Sequence, residues 1–582
     1  MEKSKQFSPD HDCFDDADDD KNQTSIQEEK IKDDQSRNYS LCEKFQSIED
    51  DVLKEISKDG DEEEKKEVKL KFVRRKLKKV NSLIQQYDNK REQKMDKKSS
   101  FSQDQWHIEP RCGKISKIWQ KMELEKHILD SPMMRNLQIS YDVLPSLSRL
   151  NLLHLAVFPE KKVIKKMPFI YWLIAEDLAT KSAKKTAQEA GEEIIQDLIG
   201  KCLIQPWYKN GETNHKSPMS NFTLNPWIRR MLISEAKKKR FLDFDSNGKL
   251  TNKFSKSQCL CLCLTKDNNW SLTDDNPKEL TTIFNVNEKC LSFKERFFIE
   301  CKRLKVLQLG RWKASPHHHI EVKNNKFLYE LKFLNKLKYL SLRGISLISN
   351  LPSSITECRN LEILDLKACH NLERLPSYIG SLKKLTHLDM SQCHLLENMP
   401  HGLSNLSSLQ VLKGFILGVE ESATKLKDLA VLKQLRKLSI LTTRNAGLQQ
   451  ASSEVESFCA RSEAENLKNL TITWRMDKTD EQETLINYGI DDKFLRKLEK
   501  LDLRCYPHRE TQTWLQASSL KNLKKLYIRG GKLEELSSDE WKSVEILRLK
   551  YLKNFEVDAF DVKKVFPNSV YEVLECKKSG NV

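Results

Sequence analysis

Hydrophobic positions in the second half of the chain return on a fixed beat. Leu337, Leu340 and Leu342 stand as L-x-x-L-x-L; Leu361, Leu364 and Leu366 follow about 24 residues later, and Leu385, Leu388 and Met390 about 24 after that. A Leu-Pro or Met-Pro step keeps the same beat at Leu351-Pro352, Leu375-Pro376 and Met399-Pro400. Side chains alternate along a strand, so the last two leucines of each unit point one way and the residues beside them the other. One unit cannot bury its leucines alone. Neighbours must stack, and the chain is expected to build a solenoid whose concave sheet presents freely varying side chains to solvent.

A period of this length with this leucine spacing is the leucine-rich-repeat pattern, one short strand and a return segment per unit. Further units read at Leu304-Leu307-Leu309, Leu435-Leu438-Ile440, Leu467-Leu470-Ile472, Leu498-Leu501-Leu503, Leu523-Leu526-Ile528 and Val544-Leu547-Leu549, spaced by about 21 to 33 residues. The array is expected to open with Cys259-Leu260-Cys261-Leu262-Cys263-Leu264 and to fade into a cap near Phe555. Cys369 and Cys393 read as buried turn residues. C-x-C-x-C can hold a soft metal, but no His or Cys cluster completes a ligand set nearby, so no metal is expected. His317-His318-His319 reads as a polar insertion between repeats.

The first half carries a different texture. Residues 1–40 combine high charge with few large apolar groups and are expected to be a disordered acidic tail. Leu41, Phe45, Ile48, Val52 and Ile56 fall on one helical face, and Phe72, Leu77, Val80 and Ile84 on another, so 41–98 reads as a charged, coiled-coil-like helical pair. Residues 99–131 form a connector. From 132 to 240 apolar residues dominate short segments reading helix, turn, helix, helix, with a hairpin near Gly211; Leu144-Pro145 and Phe158-Pro159 end helices, because the residue before proline is pushed out of the helical region. Lys237 to Arg240 opens a basic linker, 241–258, ahead of the solenoid at 259–575 and a tail at 576–582. The fold class is α+β: a helical N-terminal region and a domain of helices with a hairpin, followed by a leucine-rich-repeat α/β solenoid.

Charge and composition narrow the function. The chain has 582 residues and formal net charge +16, yet Asp15, Asp16, Asp18, Asp19 and Asp20 cluster near its start, so the basic excess lies elsewhere, part of it in 65–98. Fifteen cysteines without paired spacing fit a reducing compartment. The polar, acidic start does not read as a signal peptide, and no run approaches a membrane span. A soluble, cytoplasmic protein is expected; the run Lys71 to Lys79 also fits nuclear import or peripheral membrane contact, against the commoner reading of a solvated helix face.

Several motifs resemble one family. Leu137-Gln138-Ile139-Ser140-Tyr141-Asp142-Val143-Leu144-Pro145, then Leu152-Leu153-His154-Leu155-Ala156-Val157-Phe158-Pro159-Glu160, Trp172-Leu173-Ile174-Ala175-Glu176 and Leu198 to Gln205, are similar to the winged-helix part of plant nucleotide-binding leucine-rich-repeat (NLR) disease-resistance proteins of the coiled-coil type. Trp172 stands one residue further from Ala175-Glu176 than the family pattern has it. Leu409-Gln410-Val411-Leu412-Lys413-Gly414-Phe415 resembles an element of their repeats, and the resemblance covers about 132–575. It implies a role in innate immunity and partners such as a host kinase-like protein, a full-length NLR or a pathogen effector, in a hetero-oligomer. Two departures stand out. The sequence holds no G-x-x-x-x-G-K-[ST] loop, and where the family has Met-His-Asp at the end of the winged helix, with a histidine near the bound nucleotide, this chain has Leu224-Asn225-Pro226. The expectation is a form lacking the P-loop module, with no nucleotide cofactor and no switch of its own.

The function read from these features is an interaction protein that binds through its repeats. The alternative is a nucleic-acid-associated basic winged-helix regulator; Phe169 to Leu178, apolar and acidic, counts against a groove-reading helix, and no nucleic acid is expected. No H-E-x-x-H, G-x-S-x-G or kinase set supports an enzyme. Alternation along the late strands places Lys500, Asp502 and Arg504, then Lys525, Tyr527 and Arg529, then Arg548 and Lys550, on the solvent side, a basic stripe with an aromatic at its centre. Arg504, Tyr527, Arg529, Arg548, Lys525 and Lys550 are the candidate partner-binding residues, against ordinary solvated charge; the middle repeats, with Asp365, Lys367, His387 and Asp389, read as a mixed solvent face.

Overall fold

The structure, a computed structural model, describes residues 131–576 other than 161, 183–184, 209–218, 246–249, 252–256, 263–276, 287, 313–319, 397, 418–423, 443–465, 475–496, 513, 557–560 and 575. The acidic start, the helical pair, the connector before Ser131, the three-histidine run, the hairpin tip near Gly211 and the last six residues lie outside the described residues.

The chain divides into two compact units, Met1–Arg149 with Ile199–Leu203, and Leu150–Leu198 with Ile204–Val582. In the first, helix α1 (Pro132–Asp142) buries Met133, Met134, Leu137 and Tyr141, three or four apart as one helical face requires. Ser131 caps it, its hydroxyl accepting from the Met134 amide, and Pro132 occupies the first turn, where its missing N–H costs nothing.

Helix α2 (Ser146–Leu153) leads into the second unit, whose first part is built from β1 (Ile164–Lys165), α3 (Lys166–Ala175), α4 (Ala187–Gly200), β2 (Ile204–Trp207), β3 (Asn221–Leu224) and α5 (Pro226–Lys238). The strands form a small antiparallel sheet in the order β1-β3-β2, with Ile164 opposite Phe222 and Ile204 opposite Leu224. α3 is buried on every side from Phe169 to Ala175, the mark of a core helix. Glycine at Gly191 lets α4 lie against it, since an added Cβ would stand 2.6 Å from Ile170 Cγ2. Lys237 and Lys238, expected in a linker, are the last residues of α5, where cations complement the carbonyl end of a helix.

The second part is one 13-stranded sheet. Its strands are β4 (Cys259–Leu262), β5 (Thr282–Asn285), β7 (Val306–Gln308), β9 (Tyr339–Ser341), β10 (Ile363–Asp365), β11 (His387–Asp389), β12 (Val411–Leu417), β13 (Lys437–Thr442), β14 (Asn469–Thr473), β15 (Lys500–Tyr506), β16 (Lys525–Gly531), β17 (Ile546–Lys550) and β18 (Val570–Leu574), each paired in parallel with the next. Two strands stand outside it, β6 (Cys290–Leu291) and β8 (Glu321–Val322), paired with each other. Return segments carry single 3-10 turns such as Ser353–Glu357, Ile379–Ser381 and Leu403–Asn405. The repeat leucines and the Leu-Pro leucines fill one continuous core. Cys369 and Cys393 belong to it: their thiols donate to the Leu342 and Leu366 carbonyls at 3.1 and 3.2 Å, and burial pushes the Cys393 thiol up to about 12, a group made inert rather than a ligand.

Candidate functional site

The site-bearing surface is the face of the large sheet opposite its leucine core. Strand register lays out its side chains in rows. The first runs Thr282, Val306, Tyr339, Ile363, His387, Val411, Lys437, Asn469, Lys500, Lys525; the second runs Phe284, Gln308, Ser341, Asp365, Asp389, Lys413, Ser439, Thr471, Asp502, Tyr527, Arg548.

Along β5 to β12 this face is covered rather than solvated. α3 and the chain around it lie on it: Trp172 stacks on Phe284 with ring centroids 4.5 Å apart, Phe158 packs against Phe284 and Trp312, and Tyr171 sets its edge against Tyr339 at 6.0 Å and His387 at 4.9 Å. Polar contacts frame the aromatic centre. Glu176 accepts from Thr282, Asp177 pairs with Lys305 and Lys338, Gln188 meets His387 Nε2 at 3.3 Å, and Glu189 pairs with Arg436 at 2.8 Å. The mixed solvent face expected at Asp365, Lys367, His387 and Asp389 is therefore corrected at Asp365 and His387, each 5% exposed, while Lys367 and Asp389 are half-buried. The reason is a tertiary contact, invisible to the alternation that placed these side chains correctly on the far side of the strands.

Burial sets the electrostatics there. It lowers His387 to about 3, assisted by Lys413 and Lys437. Burial works to raise Asp389, but Lys413, bonded at 2.8 Å, and Lys367 outweigh it and hold the carboxyl well below the usual range. Asp177 is similar: its burial is overcome by hydrogen bonds from Lys338 and Lys305, which hold it low. Sequence reasoning missed the cover over these residues, although a signal was present. The first-row position is apolar or aromatic at Val306, Tyr339, Ile363 and Val411 and polar from Lys437 to Lys525, and the cover ends where that change occurs.

From β13 to β17 the far face carries the predicted stripe. The structure brings Lys500, Asp502, Arg504, Lys525, Tyr527, Arg529, Arg548 and Lys550 together on three adjacent strands, Asp502 opposite Tyr527 and Tyr527 opposite Arg548. Tyr527, expected as an exposed anchor, is only 4% exposed. Cations cover its ring: Lys500 Nζ stands 4.5 Å from the centroid, the Arg548 guanidinium 4.9 Å and that of Arg529 5.7 Å. Such contacts hold long cationic side chains in place by attraction to the ring face. Asp502 is buried beneath Arg504 and Arg529, at 3.0 and 3.2 Å, and Glu572 on β18 takes Arg548 at 3.0 Å and Lys550. Two carboxylates thus serve four of the cations. Lys437, Lys500 and Lys525 have no ion pair among the described residues, and burial together with Lys413 and Lys500 lowers Lys437 to about 8. Among the described residues this surface carries more cations than carboxylates.

At the other end of the small sheet, the Leu224-Asn225-Pro226 step has a local structural role. Asn225 caps α5, its Oδ1 accepting from the Trp227 amide at 2.8 Å, with Pro226 in the first turn. Among the described residues no group of three or more His, Cys, Asp or Glu side chains is placed to hold a metal ion.

A family model described as a leucine-rich repeat region matches residues 283–572, and one described as a disease resistance protein winged helix domain matches 157–231. Among curated relatives, Disease resistance RPP13-like protein 4 of Arabidopsis thaliana is 28% identical over 437 residues, 73% of this chain and 48% of that protein. Probable disease resistance RPP8-like protein 4 of Arabidopsis thaliana is 27% identical over 243 residues, 39% of this chain and 24% of that protein. The chain therefore spans about half the length of the first and about a quarter of the second. Among solved structures, the functional domain of InlJ from Listeria monocytogenes aligns at a TM-score of 0.36 and 14% identity, covering 58% of this chain and 62% of that one. The plant peptide hormone receptor RGFR1 in complex with RGF2 aligns at 0.29 and 14%, covering 52% of each chain.

Proposed function

Starting from a chain that is a plant disease-resistance protein of the NLR type, with that family's winged helix and leucine-rich repeats, we propose that it serves immunity by binding a protein partner through the far face of β13 to β17. The observation that carries this reading is the division of the face. Its first part is occupied by the chain's own winged helix, and its second part is a half-exposed array in which Arg504, Lys525, Arg529, Arg548 and Lys550 surround Tyr527, with Asp502 and Glu572 as their carboxylate partners among the described residues. An acidic surface on the partner would complete those charges and be steered toward them. The partner classes are a host kinase-like protein, a full-length NLR or a pathogen effector, joined in a hetero-oligomer in the cytoplasm. No helix among the described residues is long and apolar enough to cross a membrane.

The same reading has the chain act without a nucleotide switch of its own, since its sequence holds no phosphate-cradling loop and Asn225 with Pro226 stand at the sensor position. The nucleic-acid alternative gains nothing, because α3, its candidate groove helix, is buried from Phe169 to Ala175. The test is capture of partners from infected leaf tissue with the wild-type chain and with Arg504→Glu, Arg529→Glu and Arg548→Glu combined. The triple variant is expected to keep its circular-dichroism spectrum and lose the partner, and the wild-type association to weaken with salt. A folded triple variant that retains every partner at unchanged strength places recognition elsewhere.

A further inference from the structure

A second cationic cluster lies where the winged helix meets the repeats, apart from the stripe. Arg343 and Lys367 lie two positions past the far-face residues Ser341 and Asp365, in the turns that follow the neighbouring strands β9 and β10, and Arg311 sits beside them, its amide bonded to the Arg343 carbonyl at 2.7 Å. The Arg311 side chain crosses Gly344, where an added Cβ would stand 2.6 Å from its Cδ; glycine, at φ +73°, leaves the guanidinium its path. Lys165, on β1 of the winged helix, lies near enough to feel the charges of Arg343, Lys367 and Arg311, and among the described residues its amine is buried without a hydrogen-bond partner, as is the Arg343 Nε.

The balance of charge is lopsided. Lys165, Arg343 and Lys367 have no ion pair among the described residues. Among the described residues two carboxylates lie near. Asp365 is taken by the Ser341 hydroxyl at 3.3 Å and the Lys367 amide at 3.1 Å, and burial pushes it up, which weakens it as a counterion; Asp389, which acts on Lys367, is already bonded to Lys413 at 2.8 Å. Burial first, then Arg343, Lys367 and Arg311, lower Lys165 to about 7. Each of these facts describes cations gathered against their mutual repulsion. Lys165, Arg343 and Lys367 are half-buried, so the cluster is not sealed from solvent.

We propose that Lys165, Arg343 and Lys367, with Arg311 beside them, form a binding site for the phosphoryl group of a small soluble compound, held between the winged helix and the repeats. Neighbouring strands lie about 4.8 Å apart, so cations at the ends of adjacent strands span one phosphoryl group or two linked ones. The guanidinium fork matches phosphate oxygens in pairs and Lys165 supplies a point charge from the opposite side. A bound anion would relieve the repulsion and tie the winged helix to the sheet, because its ligands come from both.

The experiment follows thermal unfolding of the full chain at constant ionic strength with inorganic phosphate, pyrophosphate or chloride. Pyrophosphate is expected to give a saturable rise of about 2 °C or more, which chloride does not reproduce. Lys165→Met is expected to melt no lower than the wild type without ligand and to bind pyrophosphate about tenfold or more weakly, the loss of one charge-assisted contact. Lys367→Gln gives the same readout should Lys165→Met fail to fold. The Arg504, Arg529 and Arg548 triple variant is expected to keep the full response, which separates this site from the stripe. An unchanged response in Lys165→Met and Lys367→Gln, a response that chloride equals, or one lost only in the triple variant would overturn the proposal. In a sedimentation arm with vesicles carrying phosphatidylinositol phosphate, the protein is expected to stay in the supernatant; pelleting that Lys165→Met abolishes would overturn the soluble source.

Discussion

Lys165 shows how one residue can carry a measurable pH dependence. Its amine titrates near 7 in the folded chain, below its ordinary value of 10.5, because it is buried and repelled by Arg343, Lys367 and Arg311, which Asp365 offsets in part. Between these values the unfolded chain binds a proton that the folded chain does not, so this group makes stability rise with pH across that window and costs most below it. Lys165→Met is expected to flatten the rise, as read from denaturation midpoints between pH 7 and 10. His387 acts at the acid end. Held neutral down to about 3 by burial and by Lys413 and Lys437, against the opposing pull of Asp389 and with the Tyr171 ring packed on it, it makes stability fall as pH drops from 6.5 toward 3. His387→Gln is expected to shift the acid-unfolding midpoint downward. Neither residue is marked in the sequence: an isolated lysine before a helix and a histidine in a repeat strand look like solvated groups until the surface above them is known.

At the scale of elements, α3 is the piece on which the covered half of the face depends. Trp172 is fully buried and stacked on Phe284, with Phe158 set edge-on against the same ring. Trp172→Ala is expected to cost about 3–5 kcal/mol by leaving a cavity between helix and sheet, with Trp172→Phe costing less. Denaturant unfolding gives the number; a loss within about 0.5 kcal/mol, typical of surface sites, would mean that α3 does not hold this contact. The strands themselves were legible because each is specified by its own five or six residues. Leu340, Leu364 and Leu388 fall in register since each unit repeats the same alternation about 24 residues on. The far-face positions of Arg504, Arg529 and Arg548 were legible for the same reason. The pairing of Arg529 with Asp502, 27 residues away, was not, because it depends on how two long side chains lean across a strand gap.

At the scale of the molecule, the absence of a phosphate-cradling loop from these 582 residues and the capping role of Asn225 lead to an expectation about nucleotides. Calorimetry of the full chain with ADP and ATP is expected to show no binding that depends on adenine: any heat should match that of pyrophosphate and weaken with it in Lys165→Met. Micromolar affinity for ADP in that variant would overturn the switchless reading.

What the sequence determined by itself is the periodic part of this protein: the repeat strands, the leucine core, the buried cysteines and the side of the sheet on which each charged residue stands. These follow from spacings of two and about 24, which local sterics and nearest-neighbour stacking turn into structure without reference to the rest of the chain. Only the tertiary structure decided which part of that side is covered and which is left with unmatched charge. That choice rests on contacts such as Glu176 with Thr282 and Glu189 with Arg436, 106 and 247 residues apart, between segments with no common period. A helix buried on all sides announces only that it needs a partner surface; which surface it takes is set by the shape and charge of both, and those exist only once the sheet has formed.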